Sequence, residues 1–83
     1  MPKFLDSHGL QGADPEELKK AQNDPKDEFG VSLLNIIYSE DEDRMYCFLD
    51  APNKEAIVKH HEKLGYKCDF IMKVDDTVED FNV

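Results

Sequence analysis

Tryptophan is absent from this sequence, and only two of its 83 residues are cysteine and four glycine. No apolar run approaches the roughly 20 residues needed to cross a bilayer. The opening Met1-Pro2-Lys3-Phe4-Leu5-Asp6 reaches an acid before a signal-peptide core develops. The expectation is a cytoplasmic protein without membrane attachment, in which Cys47 and Cys68 stay reduced. Basic residues are also scarce: 10 Lys and Arg stand against 19 Asp and Glu, for a net charge of −9. That surface repels phosphate backbones, so no nucleic acid is expected as a partner. There is no glycine-rich phosphate loop and no serine in a nucleophile elbow, and a cysteine–histidine pair has no local catalytic signature.

What is present reads as one domain over residues 1–83, with an acidic tail at residues 75–83. Lys3 to His8 reads as a short strand with a polar end, stopped by Gly9 and Gly12. Asp14-Pro15-Glu16-Glu17 combines an N-cap acid, a first-turn proline and a capping-box glutamate, so a helix starts there. It ends between Asn23 and Lys26, because Pro25 disfavours helix at Asp24. Val31 to Ser39 crowds apolar residues without helical spacing and reads as a strand apolar on both faces. The acids Glu40 to Asp43 form a hairpin turn, and Arg44 to Leu49 returns as the next strand. Asn53 caps a second helix with Ala56, Ile57 and Leu64 as its apolar positions, closed by Gly65. Cys68 to Val74 is the last strand.

The order strand, helix, strand, strand, helix, strand, with right-handed crossovers, predicts an α+β ferredoxin-like βαββαβ domain. Its four-stranded antiparallel sheet has order 4-1-3-2 and both helices on one face. The other face then needs a cover. A second copy of the chain, forming a dimeric sandwich or barrel, is the expected one; the tail residues Val78, Phe81 and Val83 are the alternative.

Chemistry concentrates on histidine. Asp6 and His8 lie two apart on a strand and so share a face with Phe4. Imidazole nitrogen and carboxylate oxygen on one rigid strand suit a divalent transition metal. The fourth strand brings Cys68 and Asp69 towards His8. The third strand, taken to run parallel to the first, brings Cys47 and Asp50 to the same end. His60 and His61 both border the packed stripe of the second helix, but neighbouring helix positions point about 100° apart, so they cannot readily share one ion. A pocket lined by Tyr38, Tyr46 and the histidines would suit a small molecule or an enzyme.

The opening segment to His8, Tyr46-Cys47-Phe48-Leu49-Asp50-Ala51-Pro52-Asn53-Lys54-Glu55-Ala56, His60-His61-Glu62-Lys63-Leu64-Gly65 and Ile71-Met72-Lys73-Val74 together resemble a bacterial domain-of-unknown-function family of small ferredoxin-like proteins, one member of which is described as nickel-binding. The resemblance implies a homodimeric α+β sandwich, transition-metal binding with nickel foremost, and no established reaction. Asp6, His8, Cys47 and the His60–His61 pair match its polar landmarks. The candidate ligands are thus Asp6, His8, Cys47, His60, His61, Cys68 and Asp69. The rival readings are a small-molecule-binding protein or enzyme, and an interaction module without a ligand.

Overall fold

The computed structural model describes residues 2–23 and 26–78. Its elements are β1 (Lys3–Gly9), α1 (Pro15–Asn23), β2 (Ser32–Ser39), β3 (Arg44–Asp50), α2 (Lys54–Leu64) and β4 (Phe70–Val74). The strands form one antiparallel sheet in the order β2-β3-β1-β4. This is the ferredoxin-like α+β arrangement that the order of elements predicts.

Local chemistry sets the boundaries. Asp14 Oδ1 accepts the Glu17 N–H at 3.0 Å and opens α1, while Asn53 Oδ1 accepts the Ala56 N–H at 2.9 Å and opens α2. Gly65 closes α2 in the left-handed region at φ 84°. Its N–H bonds the Glu62 carbonyl and the Tyr66 N–H bonds the His61 carbonyl, the paired bonds of a Schellman motif. In the acidic hairpin Ser39 Oγ accepts the Glu42 N–H, and Asp43 takes a positive φ of 50°. A bulge between Leu33 and Asn35 lets Leu34 stand as an extra residue in β2.

On the helix face of the sheet, Phe4, Met45, Cys47 and Leu49 join Leu18 of α1 and Ala56 and Ile57 of α2 in one core. Leu64 departs from expectation: it is 56% exposed, and His61 takes the buried position one turn after Ile57. Ile57 and His61 are four apart and stack on one stripe, whereas Leu64 borders the open cavities beside α1.

The opposite face carries two apolar rows. Ile37, Tyr46 and Phe70 align across Ser7, and Phe48, Leu5 and Met72 align in the next row. Ile37, Tyr46, Phe70 and Met72 are exposed. Two-faced burial of β2 is therefore incomplete within one chain. Of the tail residues expected as an alternative cover, Val78 is exposed, and Phe81 and Val83 lie outside the described residues.

Candidate metal centre

The register of the sheet decides which polar residues meet. β3 runs antiparallel to β1, not parallel as expected from the sequence, because a hairpin reverses the chain after β2. Asp50 consequently sits opposite Lys3, at the far end of β1 from His8, while Cys47 sits directly opposite Asp6. Asp6 and His8 face the helices, as their spacing requires, and His61 comes down onto them from α2.

Asp6, His8, Cys47 and His61 are all buried, and one ligand atom from each lies within 4.8 Å of all the others. The histidines are presented in one tautomer. His8 Nδ1 lies 2.8 Å from the Gly9 carbonyl and His61 Nδ1 lies 3.0 Å from the Ile57 carbonyl. A carbonyl oxygen only accepts, so each Nδ1 carries the proton and each Nε2 keeps its lone pair. Those nitrogens point inwards: His8 Nε2 is 3.8 Å from Cys47 Sγ, and His61 Nε2 is 3.5 Å from Asp6 Oδ2. Anchoring of a ligand imidazole through its other nitrogen is the usual support of a metal-binding histidine.

Asp6 is the anomaly. It is fully buried, and neither carboxylate oxygen has a hydrogen-bond partner among the described residues. Burial pushes its acid up to about 7, with the Cys47 thiol close enough to offset only part of that rise. Burial also raises the Cys47 thiol far above its ordinary range, and the neighbouring Asp6 charge adds to this. Both histidines move the other way. Burial lowers His61 to about 4 against the opposing Ile57 carbonyl, and lowers His8 despite its bond to Gly9. Without a cation the thiol is therefore held protonated and the His61 imidazole neutral near pH 7, while Asp6 is divided between its acid and carboxylate forms. A divalent cation fits here on chemical grounds, since a carboxylate and a thiolate together neutralise its charge and two imidazoles complete a mixed N, S, O set.

Three other candidates stand apart. His60 turns to Asp27, with Nδ1 to Oδ2 at 2.6 Å. Asp69 is exposed and pairs with Arg44, although its N–H reaches the Ser7 carbonyl at 2.7 Å. Cys68 is partly buried beside a groove shared with His61 and Tyr66, and burial raises its thiol to about 12. The tyrosines also differ from expectation. Tyr46 faces away from the site and Tyr38 lines a separate groove by α1. Tyr66 instead stacks on His8 with ring centroids 4.2 Å apart and meets His61 edge-on at 6.4 Å. A signal for it existed. Tyr66 follows the C′ glycine, a position whose side chain commonly packs back on the last turn of the helix, here on His61.

The family model described as "Nickel responsive protein SCO4226-like" matches residues 4–74. The chain belongs to this nickel-responsive family. Every residue of the buried cluster lies inside the matched span. The crystal structure of SCO4226 from Streptomyces coelicolor A3(2) superposes on the chain with a TM-score of 0.73 at 24% identity. The match covers 92% of this chain and 99% of that one, and at this identity it speaks for the fold. No curated protein matches the chain.

Proposed function

We propose that this member of the family binds nickel through Asp6, His8, Cys47 and His61, and acts as a homodimer that sequesters or senses the ion. The observation that carries the reading is the buried Asp6 carboxylate, which has no hydrogen-bond partner within the usual distance among the described residues and is placed opposite Cys47, within reach of two imidazoles whose Nε2 atoms face it. An isolated buried carboxylate is costly, and a cation removes that cost. The family description favours nickel among the borderline divalent ions that such a donor set accepts. A thiolate ligand also favours a reducing compartment, which agrees with a cytoplasmic location.

Calorimetric titration of tag-free protein with nickel, zinc and copper tests this. Nickel should bind with Kd well below millimolar, and His8→Ala or His61→Ala should weaken it at least about 100-fold, whereas Cys68→Ser should change it less than about threefold. Equal losses in all three variants would move the site. The homodimer rests on the exposed rows built from Ile37, Tyr46, Phe70 and Met72. Light scattering should give twice the 9.6 kDa chain mass, and Tyr46→Lys should return it to one. A soluble wild-type monomer at millimolar concentration would remove the dimer from the proposal.

A further inference from the structure

Tyr66 is no member of the buried cluster, yet its ring is set against both of the cluster's imidazoles. It stacks on His8 with centroids 4.2 Å apart and planes at 30°, and it meets His61 edge-on at 6.4 Å. Both ends of its loop are tied down. The Tyr66 N–H donates to the His61 carbonyl at 2.9 Å, directly after Gly65 turns the chain in the left-handed region, and the Asp69 N–H donates to the Ser7 carbonyl at 2.7 Å. This short segment therefore straps the end of α2 to β1 and holds the ring against His8. The Tyr66 hydroxyl makes no hydrogen bond among the described residues, so the contacts that place the side chain are those of its ring.

Two cavities flank the cluster, and the residues they share show what divides them. One, of about 240 Å³, lies between the sheet and the two helices and is bordered by His8, Cys47 and His61. The other is the groove beside Cys68, bordered also by Glu62 and Lys67. Among the described residues, Tyr66 and His61 alone border both. Asp6 borders neither, in keeping with its complete burial. The wall between the two spaces is thus one candidate ligand and the aromatic ring packed on it and on His8.

We infer that Tyr66 is a positioning residue of the nickel site: its ring fixes the His8 imidazole and, with His61, closes the site off from the groove at Cys68. The inference rests on the proposed ligand set of Asp6, His8, Cys47 and His61. The Gly9 carbonyl holds His8 at Nδ1 alone and leaves the tilt of the ring open. The stacked Tyr66 ring restrains that tilt and so keeps His8 Nε2 aimed at the cluster. The first task needs a flat ring, whereas bulk is enough for the second. Tyr66→Phe keeps both, Tyr66→Leu keeps bulk without stacking, and Tyr66→Ala removes both and joins the two cavities.

Nickel is titrated into each protein for its Kd, and the loaded protein is then mixed with excess chelator, where loss of the thiolate-to-nickel absorption band gives the release rate. Tyr66→Phe should match the wild type in both. Tyr66→Leu should weaken nickel by about tenfold, the upper range for loss of a stacked aromatic pair. Tyr66→Ala should release nickel faster still, by about another tenfold, because a side chain that shuts a site also limits exchange with solvent. Two-dimensional NMR of the metal-free proteins supplies a readout that does not involve nickel. The His8 ring protons should be displaced upfield by the Tyr66 ring in the wild type and in Tyr66→Phe, and return to ordinary positions in Tyr66→Leu. Equal nickel affinity in Tyr66→Leu and Tyr66→Phe would overturn the inference, since bulk alone would then suffice, and this pair decides the matter even where Tyr66→Ala fails to fold. A wild type that shows the displaced His8 protons but binds no nickel would instead overturn the metal reading, leaving Tyr66 a packing residue.

Discussion

Binding of a divalent cation at Asp6, His8, Cys47 and His61 should release a number of protons that depends on pH in a defined way. The Cys47 thiol is held protonated across the whole neutral range by burial and by the adjacent carboxyl, so its proton must leave whenever sulfur becomes a ligand. Asp6, raised to about 7, contributes a second proton only below that value. At pH 6 it is about nine-tenths protonated and at pH 8 about one-tenth. His61 contributes almost nothing, since burial lowers it to about 4, and His8, which burial also lowers, contributes less than an ordinary imidazole would. Release should therefore fall from about two protons at pH 6 to about one at pH 8. The sign follows from competition: both ligands bind the cation deprotonated, so lower pH weakens binding. Integrated between pH 8 and pH 6, Cys47 accounts for about two decades of affinity and Asp6 for about one, together about 4 kcal/mol. Calorimetry in buffers of different ionisation enthalpy counts the protons directly. A count of about one at both pH values would show that Asp6 is ionised in the metal-free protein and that its burial has been misjudged. A count near zero at pH 8 would remove Cys47 from the ligand set.

Removing the buried acid should separate stability from binding. A carboxyl whose folded pKa is raised makes its full contribution to stability below its unfolded value near 3.8, and that contribution is lost progressively as pH rises to about 7. Asp6→Val should therefore raise the metal-free stability at pH 8 on the order of 3 kcal/mol, less at pH 5, and abolish nickel binding; denaturant unfolding at the two pH values measures both, and a destabilised variant at pH 8 would refute the argument. Ile57→Ala should cost about 2–5 kcal/mol because Ile57 is fully buried. Leu64→Ala should cost less than about 1 kcal/mol, and a larger loss by the same assay would mean that Leu64 is covered in solution. Asn53→Ala should cost about 1 kcal/mol through the lost cap of α2, read as a lowered thermal midpoint.

Much of the fold was legible because its signals are local. Asp14 with Pro15, Asn53 and Gly65 mark helix ends through bonds that span three or four residues, and the acids from Glu40 to Asp43 mark a turn through their charge. The order of elements then allows few topologies. Half of the buried cluster was legible for the same reason: two-residue spacing on a strand puts Asp6 and His8 on one face whatever the rest of the chain does. The other half was not. Cys47 meets Asp6 through the register of an antiparallel pairing across 41 positions, and a reading that reversed β3 placed Asp50 there too. His60 and His61 look equivalent in sequence, and only the pitch of α2 above the sheet sends one into the cluster and the other to Asp27. The same packing exposes Leu64 and buries His61 in its stead. Residue types and spacings determined which groups this protein has available and on which face of each element they lie. Tertiary structure decided which of them share a dry interior, where the Asp6 carboxylate, without a hydrogen-bond partner among the described residues, becomes costly.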